Sequence, residues 1–377
     1  MKIKVFVVDD SAVVRQALLF LLQDEPELEL VGSAPNPLIA APLIRKTRPD
    51  VLLLDIEMPG MDGLTFLRQI MQESPIPTVI CSTLTTNGSR MVLEALSAGA
   101  VAVVGKPKLG LKQYLEDSRR ELVQTLRSAA RSRPRAGAGT SASASASAGL
   151  GAGAGAGAGA TVAKGAGGPS APSAPAAGAA PRVRALAMNK PVVLGSSTGG
   201  TQAIEAILLR LPADCPGIAI VQHMPEPFTE MYAQRLDDLC AMDVREARDG
   251  DRLQRGLVLI APGGRHMQLR KAGGQYFAVV ADGPAVNRHK PSVDVLFRSA
   301  ADCAGRDALA IMLTGMGDDG ARGMVQMHER GARTIAQDEQ SCVVFGMPKE
   351  AIRMGAVDDV LPLSRIADAI MGFDARA

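Results

Sequence analysis

Three short stretches at the ends of apolar runs carry a hydroxyl, an imidazole and a carboxylate: GSSTGG at 195–200, QHMP at 222–225 and TGMGDDG at 314–320, the first and last of them glycine-rich. Each follows an apolar run, PVVL, GIAIV or ALAIML, that reads as a buried strand. A serine on a tight strand-to-helix turn is held exposed beside helix N–H groups, where an oxyanion can be stabilised, and the glycines let backbone and substrate approach. To act as a nucleophile it needs a base and an orienting carboxylate. His223 ends its strand and is expected in the serine's crevice, and Asp318 or Asp319 can supply the carboxylate. Of the other histidines, His328 falls in a helical stretch and is expected at the surface, while His266 and His289 lie elsewhere. GSSTGG is not a dinucleotide fingerprint, because its glycines at 195, 199 and 200 miss the G-x-G-x-x-G spacing, and it lacks a P-loop lysine. Anion binding at a glycine turn that opens a helix is the plain alternative.

A second group lies nearer the N-terminus. Asp9 and Asp10 follow one apolar run, Asp55 ends another, Ser82 ends a third and Lys106 follows a fourth. In an open parallel sheet the carboxyl ends of the strands share one crevice. Three carboxylates there would raise one another's pKa unless a hard divalent cation neutralised them, and Mg²⁺ suits an all-oxygen set. Helix capping would account for Asp10 alone.

The elements that must position these groups alternate. Strands KVFVVDD, LELVGSA, VLLLDIE, PTVICS and VAVVGKP are predicted to interleave with helices over 12–23, 39–47, 64–73 and 88–98 and a last one from Leu111, a (βα)5 doubly wound parallel sheet. The runs are continuously apolar, as burial on both faces requires. Pro42 is placed in the first turn of the second helix, because a proline further inside costs about 3 kcal/mol. The later half reads as a second doubly wound α/β domain. Its predicted strands lie at 191–195, at GIAIVQ, near Val244, Val258, Met267 and Ala278, at ALAIMLT and at RTIA. Its predicted helices span 201–211, 227–240, 293–303 and 321–330, with two more closing the chain. Between the halves, SASASASAGLGAGAGAGAGA and GGPSAPSAPAAGAAP carry no hydrophobic periodicity and predict a disordered linker. The expected boundaries are 1–127, 128–187 and 188–377.

Composition narrows the classes. The 377 residues are 47% apolar and 21% charged with net charge +2, enough for two domains with their own cores. Aromatics make up 3% and Trp is absent, so nucleic-acid stacking platforms and a basic footprint are both missing. Five scattered cysteines without a CxxC suggest reduced thiols. The N-terminal stretch lacks a signal-peptide pattern, and no run approaches the roughly 18 apolar residues of a membrane span. A cytoplasmic monomer without membrane insertion is expected.

The first half, with DIEMPGMDG around Asp55, resembles a response-regulator receiver. The resemblance makes Asp55 the phosphoryl acceptor, Asp9 and Asp10 with Asp55 the Mg²⁺ pocket, and Ser82 and Lys106 the residues that sense the phosphoryl group. VVLGSSTGGTQAI, QHMP, IAPGGRHM, RHKPSVDVLF and MLTGMGDDG together resemble the catalytic domain of chemotaxis protein-glutamate methylesterases. That resemblance selects Ser197 over Ser196 as nucleophile, His223 as base and Asp319 as carboxylate, with backbone N–H groups at Met316 and Thr198 near the oxyanion. Asp318 stands where the family commonly has Asn, and the linker is unusually long.

The implied reaction is hydrolysis of γ-glutamyl methyl esters on methyl-accepting chemotaxis receptors, with glutamine deamidation by the same path and a histidine kinase as phosphodonor. No metal is expected in the second half, whose histidines and cysteines form no tight cluster in sequence. Two other classes compete. A DNA-binding output lacks a compact helix-turn-helix, and a phosphorylation-switched binding module with an unused triad would differ only in releasing no methanol.

Overall fold

The computed structural model describes residues 2–23, 25–58, 62–82, 86–106, 112–132 and 190–375. The predicted linker falls almost wholly on 133–189, outside the described residues. Residues Met1–Gly137 and Met188–Ala377 form one compact unit.

In the first half, β1 (Ile3–Val8), β2 (Leu28–Ala34), β3 (Val51–Leu54), β4 (Thr78–Ser82) and β5 (Ala102–Gly105) form a parallel sheet in the order β2-β1-β3-β4-β5. The period-2 geometry of a strand sends its apolar run to both faces. Val5, Val7, Val51 and Leu53 pack with Leu18, Leu21 and Leu22 of α1 (Ala12–Gln23) and Leu122, Val123 and Leu126 of α5 (Lys112–Ala130). Phe6, Val8, Leu52 and Leu54 pack with Ala40 and Ile44 of α2 (Pro37–Thr47), Leu64, Phe66 and Leu67 of α3 (Gly63–Glu73), and Val92 and Leu96 of α4 (Thr86–Ser97).

The placement of Pro42 needs correcting. The helix starts earlier, where the Asn36 side chain accepts from the N–H of Ile39 at 3.0 Å and Pro37 takes the first turn, so Pro42 lies inside it. The cap and the burial of Pro37, Ala40 and Ile44 outweigh the missing N–H. At the far end, α5 runs on to Ala130, past the expected boundary at 127, and Ser128 is buried.

The second half holds a seven-stranded parallel sheet made of β6 (Val192–Ser196), β7 (Ile218–Gln222), β8 (Asp243–Glu246), β10 (Leu257–Ile260), β13 (Leu309–Met312), β14 (Arg333–Gln337) and β15 (Asp359–Leu361). Its order is β15-β14-β13-β6-β7-β10-β8. Helices α6 (Gly200–Leu208), α7 (Glu226–Leu239), α8 (Val293–Cys303), α9 (Ala321–Glu329), α10 (Met347–Arg353) and α11 (Leu363–Asp374) follow the pattern read from the sequence. A separate antiparallel sheet, β11 (His266–Ala272), β12 (Gln275–Ala281) and the two-residue β9 (Arg252–Leu253), was not legible as such.

Strand order decides the site. β6 lies between β13 and β7, with Gly195 opposite both Met312 and Val221 and Ser196 opposite Gln222. The stretches GSSTGG, QHMP and TGMGDDG therefore emerge side by side at the carboxyl edge of one sheet. The first half lies against this edge: Val92 and Leu96 of α4 share a core with Ile204 of α6 and Phe228 of α7, and Gln202 Nε2 donates to the Leu96 carbonyl at 2.5 Å.

Candidate active site

The GSSTGG turn is shaped by close packing. Gly199 has φ +77°, and a Cβ on Gly200 would sit 2.1 Å from Gln222 Oε1. Ser196 is fully buried and donates its hydroxyl to Gln222 Oε1 at 2.7 Å, whereas Ser197 is only partly buried. Gln222 also donates through Nε2 to the carbonyls of Ser197 and His223, at 3.0 and 3.1 Å, tying the two turns together. The sequence reading passed over this glutamine, although it stands inside QHMP.

Asp319 is completely buried. Its oxygens accept from His223 Nε2 at 2.8 Å, Asn287 Nδ2 at 2.8 Å, Ser292 Oγ at 2.7 Å and the Val293 N–H at 2.7 Å. Burial alone would raise its pKa, but the hydrogen bond and charge of His223 and the donations from Asn287 and Ser292 outweigh it and hold the carboxyl well below the usual range. Asp318 is exposed. Ser292 precedes α8 and by type reads as an N-cap, yet makes no cap bond, its hydroxyl going to Asp319 instead. Neither Asn287 nor Ser292 was singled out in the sequence, although both flank or lie within RHKPSVDVLF.

With Nε2 on the carboxylate, the His223 ring keeps Nδ1 buried and without a hydrogen-bond partner. The ring lies flat on that of His289, centroids 3.7 Å apart and planes within 8°. Burial first, and then the neighbouring His223, push the His289 imidazole down to about 4. His266 is taken up structurally, Nδ1 accepting from the Ser292 N–H and Nε2 meeting the Pro284 carbonyl. His328 sits on α9, half-exposed, 3.3 Å from Asp358.

Scattered as they are in sequence, His223, His289 and Asp319 do form a cluster whose ligand-type atoms lie within 4.8 Å of one another. It is poorly shaped for a cation. Imidazole lone pairs lie in the ring plane, so two stacked parallel rings aim theirs side by side, and the Asp319 oxygens are already engaged.

Ser197, Thr198, His223 and Met316 line one cavity of about 670 Å³. Its opposite wall comes from the first half, through Leu96 of α4, Val103 of β5 and Ser128 of α5. The Ser128 hydroxyl donates to Met316 Sδ. Among the described residues no partner takes the N–H of Thr198 or of Met316.

In the first half, Asp55 is fully buried, and Lys106 Nζ lies 2.7 Å from its Oδ2 and 3.2 Å from Asp9 Oδ2. Burial opposes the charge on Lys106, but Asp55 and Asp9 together raise its pKa. Asp9 is raised, by burial first and then by Asp55 against the opposing pull of Lys106, whose ammonium lies 3.2 Å from its Oδ2. Asp9, Asp10 and Asp55 bring carboxylate oxygens within 4.8 Å of one another, a donor set that fits a hard divalent cation. Ser82 is buried at the end of β4, its carbonyl accepting from the Lys106 N–H at 2.9 Å.

The comparisons with known proteins match the two halves separately. Residues 192–370 match the CheB methylesterase family and residues 5–115 the response regulator receiver domain. The chain is 58% identical to a protein-glutamate methylesterase/protein-glutamine glutaminase of Dechloromonas aromatica over 99% of this chain and 98% of that one. It is 50% identical to a protein of the same name from Chromobacterium violaceum, over 99% of both chains. The crystal structure of the Thermotoga maritima CheB methylesterase catalytic domain covers 49% of this chain and 98% of its own, at 40% identity and a TM-score of 0.48. Identity of this extent, running through both halves, places the chain in the CheB methylesterase family, with a response-regulator receiver ahead of its catalytic domain.

Proposed function

We propose that the chain is a phosphorylation-regulated protein-glutamate methylesterase and protein-glutamine glutaminase acting on methyl-accepting chemotaxis receptors. The observation that carries the reading is the fully buried Asp319 carboxylate held 2.8 Å from His223, on a turn adjacent in the sheet to that of Ser197. Ser197 Oγ attacks the ester carbonyl while His223 takes its proton. Because Nε2 is committed to Asp319, the receiving nitrogen is Nδ1, the reverse of the nitrogen usage in chymotrypsin-type triads. The N–H groups of Thr198 and Met316 face the developing oxyanion. His223 returns the proton to the leaving oxygen and methanol departs. Water then attacks the glutamyl-serine ester, giving up a proton to His223, and the carboxylic acid and free Ser197 result. A glutamine follows the same course with ammonia as leaving group.

Asp55 is the phosphoryl acceptor and a histidine kinase the donor. A magnesium ion held by Asp9, Asp10 and Asp55 would offset the charge between carboxylate and phosphoryl group. Lys106, already beside Asp55, would pair with the added oxygens, and the Ser82 hydroxyl lies on the same edge. The receiver's α4, β5 and α5 wall over the crevice supports inhibition by occlusion. The test is methanol release from a methylated receptor, measured with and without a small phosphodonor and Mg²⁺. A chain that binds receptor and releases no methanol would instead be the binding module with an unused triad.

A further inference from the structure

The segment joining β12 to α8 touches both buried members of the triad, and no role has been given to it. Val286 and His289 exchange both backbone hydrogen bonds, Val286 N–H to His289 O at 3.1 Å and His289 N–H to Val286 O at 2.9 Å, closing a two-residue turn. Its central residues, Asn287 and Arg288, have φ of 50° and 69°. Two adjacent non-glycine residues in the left-handed region cost conformational energy, and such backbone persists only where its surroundings fix it. From this turn Asn287 reaches Asp319 Oδ1 at 2.8 Å and Asp294 Oδ2 at 2.7 Å. His289 lays its ring on His223 at 3.7 Å.

We propose that the turn 286–289 is a bracket for the triad, with His289 a positioning residue whose planar ring, stacked on His223, keeps the imidazole aligned between Asp319 and Ser197. The need for such a part follows from the hydrogen bonding of His223. A single bond at Nε2 fixes one point of the ring and leaves it free to rock about that bond, because Nδ1 has no partner. A flat neighbour removes that freedom. It also presents a π face to the imidazolium that forms when His223 accepts the proton. A second cation there would be repelled, and burial keeps His289 uncharged at neutral pH. The proposal rests on the triad reading.

The test compares full chains carrying His289→Phe, which keeps a planar ring, and His289→Leu, which fills the space without one, with His223→Ala run in parallel. Initial rates on methylated receptor give kcat and KM, and thermal unfolding monitors the fold. His289→Leu is expected to lower kcat by about 10- to 100-fold with KM within about twofold and unfolding unchanged, while His289→Phe retains kcat within about threefold. The proposal is overturned if Phe is as slow as Leu in a folded protein, if Leu changes only KM, or if Leu keeps full kcat. Should His223→Ala remain active, the triad reading itself fails, whatever the His289 variants do.

Discussion

Two neighbouring serines divide their duties by what their hydroxyls already hold. Ser196 Oγ is spent on Gln222 inside the core, and Ser197 lines the cavity. Ser197→Ala is therefore expected to lower turnover by about 10⁴ to 10⁶. Ser196→Ala should keep most of the rate and lose about 1 kcal/mol of stability through the orphaned Gln222 oxygen. Methanol release and thermal melts of both variants check this, and equal losses of turnover would refute the division. In the receiver, the raised pKa of Asp9 fixes a sign. Its ionised form is disfavoured in the fold, so the destabilisation is absent below the unfolded value of 3.8, grows as pH rises through the raised folded value and is fully present above it. Asp9→Asn should melt higher than the parent at pH 7 without Mg²⁺, by no more than about 4 °C, and should lose the upward shift that Mg²⁺ gives the parent. A lower melting point for the variant would refute that sign, and a persisting Mg²⁺ shift would show that this carboxylate is not a ligand.

At the scale of elements, what was legible was what periodicity controls. Helices over Ala12–Gln23 and Val293–Cys303 run between the residues expected, because a serine stands just before the apolar stripe of each. The start of α2 was misplaced because Asn36-Pro37 set it, overriding the prohibition on Pro42. β9 and β15, two and three residues long, are too short to show alternation, and their pairing depends on partners distant in sequence. In the candidate site, His223 could be read from a strand end and the serine and aspartate only as neighbouring pairs, which the family resemblance narrowed to Ser197 and Asp319, whereas the parts of Gln222, Asn287, Ser292 and His289 could not be read. Their tasks arise only when β6, β7, β13 and the 286–289 turn meet. Gly200 illustrates this dependence, since its need for glycine comes from Gln222, 22 positions away. Gly200→Ala is expected to push Gln222 off Ser196, costing about 1–3 kcal/mol of stability and slowing turnover together. Denaturant unfolding alongside rate measurements tests the pair, and an unchanged midpoint would mean that the clamp yields freely.

For the whole molecule, the proposed occlusion requires that the receiver leave the crevice edge for the enzyme to be stimulated. Asp55→Asn should abolish stimulation by phosphodonor while leaving basal hydrolysis unchanged, as the carboxylate is remote from Ser197 in function and cannot be replaced by an amide in accepting phosphorus. Gln202→Glu would set a carboxylate against the Leu96 carbonyl and weaken the α4 contact, raising unphosphorylated activity about fivefold or more if the coupling is the usual 1–3 kcal/mol. Rates on one methylated receptor with and without phosphodonor measure both, and a Gln202→Glu chain still fully dependent on phosphodonor would place the brake elsewhere.

The roofed cavity over Ser197 has a consequence for what the resting protein excludes. Its volume, about 670 Å³, is that of a small-molecule pocket, whereas a side chain carried on a folded element as wide as a helix brings some 10–12 Å of protein with it. On the proposed reading the closed form acts as a sieve, expected to turn away a folded substrate and to admit a free ester of a dozen atoms. Phosphorylation would widen the range of acceptable sizes and leave the chemistry untouched. A small soluble methyl ester should be hydrolysed at nearly the same rate before and after phosphodonor is added, while receptor demethylation accelerates. Equal acceleration of both would mean that the switch acts on the reacting groups themselves.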